Sequence, residues 1–366
     1  MEISIIGLPK SGKTTVFNAL TRSQAETGAY SPATATPNIG MAKVADERID
    51  ALSDIFKPKK ITYAEVKYVD IALPPKAHDS KEGLNEQIIA HIANTDCVIH
   101  VVRAFADENV PHIDGSVDAA RDIAAMEMEL AFSDLGLIDK RITRINEGLK
   151  AAKPAERETG IKEIGILDDI KASLEKSIPI RQQNLSDEAI KAIRHYQFLT
   201  SKPLLVLINI GEDQVPQAKQ IEDTLSLNFG RAGSGIVTLC GKLEMELSEM
   251  EEDDVREMRD GMGLAESAVD SVISMSYRLL GYISFFTFGP EEVRAWTIAD
   301  GTNVQKAAGK IHTDMEKGFI RAEVIRYDKL IEYRSVAEAR KHAAVQLEGR
   351  NYIVRDGDCI TVLFNV

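Results

Sequence analysis

Cysteine, tryptophan and long apolar runs are all scarce in this chain, and each scarcity narrows what it can be. The three cysteines, Cys97, Cys240 and Cys359, are odd in number, widely separated and without metal-ligand spacing. Neither a disulfide framework nor a zinc site is expected, and a reducing, cytoplasmic setting fits best. No apolar run nears the roughly 20 residues that span a bilayer, so no membrane partner is expected. The first strand-like run starts at Met1, which leaves no room for a signal peptide. Basic residues are outnumbered: 44 Lys and Arg face 57 Asp and Glu, for a net charge of −13. Such a surface is not built for nucleic acid as a whole, and an RNA contact needs a local basic patch. The remaining composition, 44% hydrophobic and 28% charged over 366 residues, is that of a soluble protein with two or three domains.

What is present is concentrated in the first fifteen residues. A short apolar strand, Ile3–Ile6, runs into Gly7-Leu-Pro-Lys-Ser-Gly12-Lys13-Thr14-Thr15 and then into a helical stretch, Val16–Leu20. Gly7 and Gly12 permit backbone angles that turn successive N–H groups inward on a polyphosphate. Lys13 reaches the β- and γ-phosphates, and the Thr14 hydroxyl binds Mg²⁺. The helix adds the positive end of its dipole. A Gly-rich turn with no ligand does not account for Lys-Thr following Gly12. Lys10, Ser11, Gly12, Lys13, Thr14 and Thr15 are the candidate phosphate-binding residues, and the chain binds a nucleoside triphosphate.

Strand-like runs recur at Val66–Ile71, Cys97–Val102, Leu204–Ile208 and Gly235–Leu239, separated by helical patterns. That alternation indicates an α/β fold with a mostly parallel sheet. The spacing breaks after about Ile123. Leu135, Ile138, Ile142, Ile145 and Leu149 then form one three-four stripe, and Ile164, Leu167, Leu174 and Ile178 form another beyond Pro154. Two stripes around a break predict an inserted antiparallel helical hairpin. The acidic run Glu244–Asp260 reads as a solvated helix face and connector. Beyond Leu280, Ile283–Phe288, Val293–Ile298, Phe319–Val324 and Ile360–Phe364 read as strands and Val304–Ile311 as a short helix, a small α+β unit.

A P-loop nucleotidase also needs a second Mg²⁺ ligand, a γ-phosphate sensor and a base loop. Thr34 or Thr36, in the loop before Pro37, stands where a switch segment places a hydroxyl on the metal. Asp70 ends an apolar strand, as does the carboxylate that holds Mg²⁺ through water. A D-x-x-G normally follows, but the chain reads Asp70-Ile-Ala-Leu73-Pro74, and Pro74 has no N–H to offer. Guanine-specific members carry N-K-x-D after a buried strand, whereas here Asn209-Ile210-Gly211-Glu212 follows Leu204–Ile208. Glu is one methylene longer than Asp and cannot take its bidentate place on guanine. Losing such a partner costs about 10⁴-fold in discrimination. Asn209, Ile210 and Glu212 are therefore expected to frame adenine.

At these residues the chain resembles the YchF / Obg-like ATPases, a branch of the translation-factor-class P-loop proteins. Gly7-Leu-Pro, Thr34…Pro37-Asn38-Ile-Gly40, the N-x-x-E loop and Ile99-His-Val-Val-Arg103-Ala-Phe105 all fit. So do His112-Ile-Asp-Gly115-Ser-Val-Asp118 and Glu129-Leu-Ala-Phe-Ser-Asp134-Leu. Phe285-Phe-Thr-Phe-Gly289…Trp296-Thr and Ala307-Ala-Gly-Lys-Ile-His312-Thr-Asp resemble the family's TGS domain, a ubiquitin-like β-grasp fold. The resemblance implies a G-domain-like P-loop nucleotidase over 1–122 and 200–279, a helical arm over 123–199 and a TGS domain over 280–366. It implies an ATPase that prefers ATP to GTP and uses Mg²⁺, with the ribosome or a 50S-type subunit as partner. The arm and TGS domain are then candidates for rRNA or tRNA contact, through Lys306, Lys310, Lys317 and Arg321 among others, and a monomer is expected. It singles out Thr34 as switch ligand, an apolar residue, Leu73 or Pro74, in place of the catalytic Gln, and His112 as the group to position or deprotonate the attacking water.

Two departures from that pattern matter. Lys10-Ser11 replaces the family's usual Asn-Val and adds charge beside the phosphates, and the sensor glycine is missing. Nucleotide binding with slow hydrolysis is expected. The alternatives are a nucleotide-stabilised scaffold with negligible turnover and a GTP-specific switch.

Overall fold

Parallel strands buried on both faces call for apolar runs rather than alternation, and the computed structural model turns each such run into a strand. It describes residues 1–23, 25, 37–71, 86–262, 264 and 267–365. In chain order the strands are β1 (Glu2–Ile6), β2 (Asn38–Lys43), β3 (Lys60–Thr62), β4 (Glu65–Asp70), β5 (Cys97–Arg103), β6 (Leu204–Asn209), β7 (Ser234–Leu239), β8 (Tyr282–Thr287), β9 (Glu292–Ala299), β10 (Phe319–Arg326), β11 (Gln346–Glu348) and β12 (Asp358–Phe364). They form two sheets in two compact units, Met1–Met41 with Lys67–Val272, and Ala42–Val66 with Ile273–Val366.

The first unit's sheet has the order β2-β4-β1-β5-β6-β7, with β1 parallel to β4 and β5, and β6 parallel to β5 and β7. Every residue of β5 and β6 is buried, which is why both are mostly apolar, with His100 and Arg103 in β5 and Asn209 closing β6 as the exceptions. Asp70 and Ile99 lie in register with Ile5, so β4 and β1 end side by side while β5 runs on past them to Arg103. Open α/β sheets bind ligands at that end.

The helix Ala119–Leu149 starts in this unit's sheet core and leaves it. Asp118 caps its first turn by accepting from the Arg121 N–H. Ile123, Met126 and Leu130 lie in the sheet core, while Ile138 and Ile145 lie in a separate core with Leu167, Ile170 and Leu174 of the helix Pro154–Leu174. The helical hairpin is present, but its first helix begins at Ala119 and has its own core only past Asp134. Ile178, counted in the second stripe, falls beyond the helix and is exposed. At the changeover, buried Asp134 accepts from the N–H of Leu199 (2.9 Å), the N–H of Thr200 (2.8 Å) and the Thr200 hydroxyl (2.6 Å). Glu244, expected on a solvated face, is buried and pairs with Arg259 at 2.6 Å.

In the second unit β8–β9 and β10–β12 are antiparallel and β12 runs parallel to β8, in the order β11-β10-β12-β8-β9-β3. Asn303 caps the helix Val304–Ile311, which buries Val304, Ala307 and Ala308 with Phe285, Ala322, Val324 and Ile360. This is the β-grasp arrangement. The unit also takes in residues 42–66, which the sequence boundaries place in the nucleotide-binding domain. β3 pairs parallel with β9, and Arg48 of the helix Glu47–Phe56 pairs with Asp356 at 2.7 Å. Partners 308 residues apart leave no local signal.

His100 sits in β5 fully buried, and neither ring nitrogen has a hydrogen-bond partner among the described residues. Burial pushes its pKa down to about 3, and the Lys13 charge acts the same way. The folded chain thus refuses a proton that the unfolded chain accepts near pH ~6.5, so stability falls as pH drops from there toward about 3. This group contributes at most about 1.4 kcal/mol per pH unit. His100→Leu should flatten the slope between about pH 7 and 5 and raise stability at neutral pH by about 1 kcal/mol, since two unpartnered nitrogens are removed. Urea midpoints of both proteins at the two pH values check this. Parallel slopes would mean that another group carries the acid sensitivity.

Candidate nucleotide site

Two missing side chains shape the loop after β1. Gly7 has φ 154° and Gly12 has φ 88°. A Cβ on Gly7 would collide with the Val101 carbonyl oxygen, and one on Gly12 with the Asn209 amide. The loop therefore lies flush against the ends of β5 and β6, its backbone open to a polyphosphate. Lys10 holds a left-handed φ of 63°, and its exposed side chain has no partner among the described residues. Ser11 is buried, and Thr15 is half-buried in the first turn of the helix Lys13–Thr21. Lys13 Nζ donates to the carbonyls of Gly7 (2.9 Å) and Leu8 (3.0 Å) and so closes the loop on itself. Desolvation pushes the Lys13 pKa down to about 8, against the opposing pull of the Asp70 charge.

Thr14 and Asp70 come together. The Thr14 hydroxyl donates to Asp70 Oδ2 at 3.0 Å, and Asn38 Nδ2 donates to the same oxygen at 3.3 Å. Asp70 is 2% exposed, and its Oδ1 is buried with no partner among the described residues. A buried, unsatisfied carboxylate oxygen beside a hydroxyl fits a hard cation such as Mg²⁺, which leans on few protein oxygens and completes its shell with phosphates and water. Thr34, the expected switch ligand, lies outside the described residues, as do Thr36, Leu73 and Pro74.

The base loop differs in detail from its expected form. Asn209 is buried with both amide atoms engaged: Nδ2 donates to the Ser11 carbonyl and Oδ1 accepts from the Gly241 N–H, each at 3.0 Å. It clamps the P-loop to the β7 exit, with one amide N–H and one lone pair of Oδ1 not engaged by these two bonds. Ile210 is core, its N–H donating to the Leu239 carbonyl at 3.1 Å. Glu212 is exposed in a short 3-10 turn and accepts from Lys242 Nζ at 2.8 Å. The residue that sequence reasoning missed is Phe105. Its ring atom Cε1 lies 3.9 Å from the position of a Cβ on Gly12, and its own Cβ lies 3.6 Å from the same position on Gly211. The half-buried ring thus runs from phosphate loop to base loop, and an aromatic two residues past a buried strand end was the available signal.

His112 is not poised to take a proton from water. Its Nδ1 accepts from the Asp114 N–H at 3.1 Å, which places the ring proton on Nε2, 2.9 Å from Asp122 Oδ2. Both side chains are almost completely buried, and Arg121 holds the other Asp122 oxygen at 2.8 Å. In the free chain the histidine braces the 112–118 loop against the helix that follows.

Two family models match the chain. One, described as a 50S ribosome-binding GTPase, covers residues 2–132, and the YchF-GTPase C-terminal model, described as a protein of unknown function, covers residues 282–365. The "Ribosome-binding ATPase YchF" of Bacillus subtilis is 38% identical over 368 residues, spanning 100% of both chains. The chain belongs to the YchF family. The YchF protein of the same name from Escherichia coli O157:H7 is 37% identical over 365 residues, covering 100% of this chain and 99% of its own. A solved structure, titled the Schizosaccharomyces pombe YchF GTPase, matches with a TM-score of 0.85 and 28% identity over 99% of this chain and 97% of that one. YchF membership and the α/β P-loop fold with a C-terminal domain, both expected from the sequence, therefore stand.

The geometry sets two expectations. A triphosphate binds the ammonium form of Lys13, whose pKa is about 8 in the free chain. Affinity for Mg·ATP should be flat below about pH 8 and then fall by up to about tenfold per unit, readable by calorimetry. A flat profile to about pH 10 would mean that Lys13 does not meet phosphate. His112→Gln should leave turnover within a few-fold of the parent, since the ring serves a loop. A loss of about 10³-fold in kcat with unchanged ATP affinity would restore His112 as the base.

Proposed function

We propose that this chain binds Mg·ATP on the Gly7–Thr15 loop, hydrolyses it slowly to ADP and phosphate, and uses its nucleotide state to alter association with the ribosome or its large subunit. The observation that carries the choice of base is the Glu212–Lys242 ion pair. The acid standing where a guanine-reading Asp would be is engaged at the surface, and backbone groups around Ile210 remain to serve adenine. The names of the bacterial relatives support ATP hydrolysis and ribosome binding; the Schizosaccharomyces pombe relative is named a GTPase, so nucleotide choice needs its own test.

Lys13 and the loop N–H groups bind and orient the phosphates, and Lys10 adds positive charge beside them. Thr14 and Thr34, with Asp70 behind water, would hold Mg²⁺; when bound, it neutralises charge on the β- and γ-phosphate oxygens. Catalysis then rests on positioning a water in line and on charge, without a committed general base. A scaffold with negligible turnover is the second reading, and the engaged His112 favours it.

For the partner, basic and acidic residues nearly balance across 273–366, so the net charge of −13 lies largely elsewhere. Lys306, Lys310, Lys317 and Arg321 are exposed and form no ion pair among the described residues. These support an rRNA or tRNA contact through the β-grasp unit rather than the acidic nucleotide unit; a monomeric, cytoplasmic protein completes the proposal.

Equilibrium binding of Mg·ATP and Mg·GTP, followed by single-turnover hydrolysis on the same sample, tests the whole reading. ATP should bind at least about tenfold more tightly, with slow release of phosphate, and the double variant Ile210→Lys/Glu212→Asp should shift preference toward GTP. Tighter GTP binding by the parent overturns the adenine assignment, and ATP binding without any turnover leaves the scaffold.

A further inference from the structure

Arg103 is a cation without a carboxylate in a place that does not need one for folding. It ends β5, in register with Asn209 of β6, and is only 2% exposed. No acidic side chain pairs with it among the described residues. Its Nε donates to the Phe105 carbonyl at 3.1 Å and its Nη2 reaches the Asp107 carbonyl at 3.5 Å, while Nη1 is buried without a partner. The guanidinium carbon sits 4.4 Å from the centre of the Phe105 ring. Leaving a buried guanidinium short of partners is costly, and an apolar residue would end β5 as well as the rest of its run does. The arrangement makes sense as a device that fixes one aromatic ring.

We infer that Arg103 is a positioning residue for base recognition, acting through Phe105. Its planar fork does two things at once: it ties down the backbone at Phe105 and Asp107, and it lies on the ring that spans Gly12 and Gly211. The cation draws on the ring's π-face, and the ring, held between phosphate loop and base loop, stacks on the purine. A lysine would keep the charge but not the fork or the stack. The proposal rests on the nucleotide reading above and goes beyond it in naming what holds the base-facing ring.

The test compares Mg·ATP with Mg·tripolyphosphate, which carries the phosphates without a base, on the full chain by calorimetry. The parent should bind ATP more tightly than tripolyphosphate. Arg103→Lys should weaken ATP by about tenfold and leave tripolyphosphate within about twofold. Phe105→Leu should do the same, and the double variant should lose no more than the worse single one, because both act on one contact. Arg103→Gln, which keeps a planar donor for the loop carbonyls, should recover part of the ATP affinity, a rescue that a merely structural role would not show. If Arg103→Lys weakens tripolyphosphate as much as ATP, Arg103 touches phosphate and the proposal is wrong. Unchanged ATP affinity, or losses that simply add, overturn it as well. Equal binding of the two probes by the parent would instead remove the base-recognition reading, and this proposal with it.

Discussion

One buried amide holds the nucleotide end of this protein together. Asn209 ties the Ser11 carbonyl on one side to the Gly241 N–H on the other, so the P-loop, the end of β6 and the exit of β7 share a single side chain. The tie depends on close approach: a Cβ on Gly12 would strike this amide, and one on Gly241 would lie 3.1 Å from its oxygen. With both amide atoms spent on backbone, the site has a frame whose parts cannot drift independently. Such pre-organisation is what phosphoryl transfer asks of a protein, because there is little covalent chemistry for side chains to perform.

The division of labour that results is uneven. Phosphate and metal functions rest on groups left wanting in the free chain: an ammonium folded back onto two carbonyls, and a carboxylate oxygen with no partner. Base and water functions rest on groups already satisfied, Glu212 with Lys242 and His112 with Asp122. On the proposed function, a chain built this way is expected to bind a triphosphate and to turn it over slowly.

How much of this was legible depended on how local the cause was. The P-loop, β1 and β4 to β7 were readable because buried parallel strands demand continuous apolar runs, and glycines with a following Lys-Thr demand phosphate. The strands β2, β3 and β11 were not: Asn38-Ile-Gly-Met-Ala-Lys, Lys-Ile-Thr and Gln-Leu-Glu are short, mixed and largely exposed. The grouping of residues 42–66 with the C-terminal strands hangs on β3 meeting β9, a pairing with no trace in either segment. In the site, Thr14 and Asp70 were found because metal chemistry fixes their types. The clamp at Asn209 and the brace at His112 were not legible, because the same residue types serve backbone and substrate alike and only the folded chain shows the partners. Arg103 left one readable mark, a cation closing a strand that is apolar but for His100.

The helix Ala119–Leu149 belongs to two hydrophobic cores, with buried Asp134 at the changeover. A rigid rod shared in this way behaves as a first-class lever with its fulcrum at that carboxylate. About fifteen residues extend beyond it, roughly 23 Å of rod, so each degree of tilt at the sheet moves the far tip by about 0.4 Å. The three donors that Asp134 accepts keep the fulcrum from sliding. As many residues lie on the near side of Asp134 as beyond it, so the two arms are equal and a displacement of the helix start is relayed to the hairpin tip undiminished and reversed in sense.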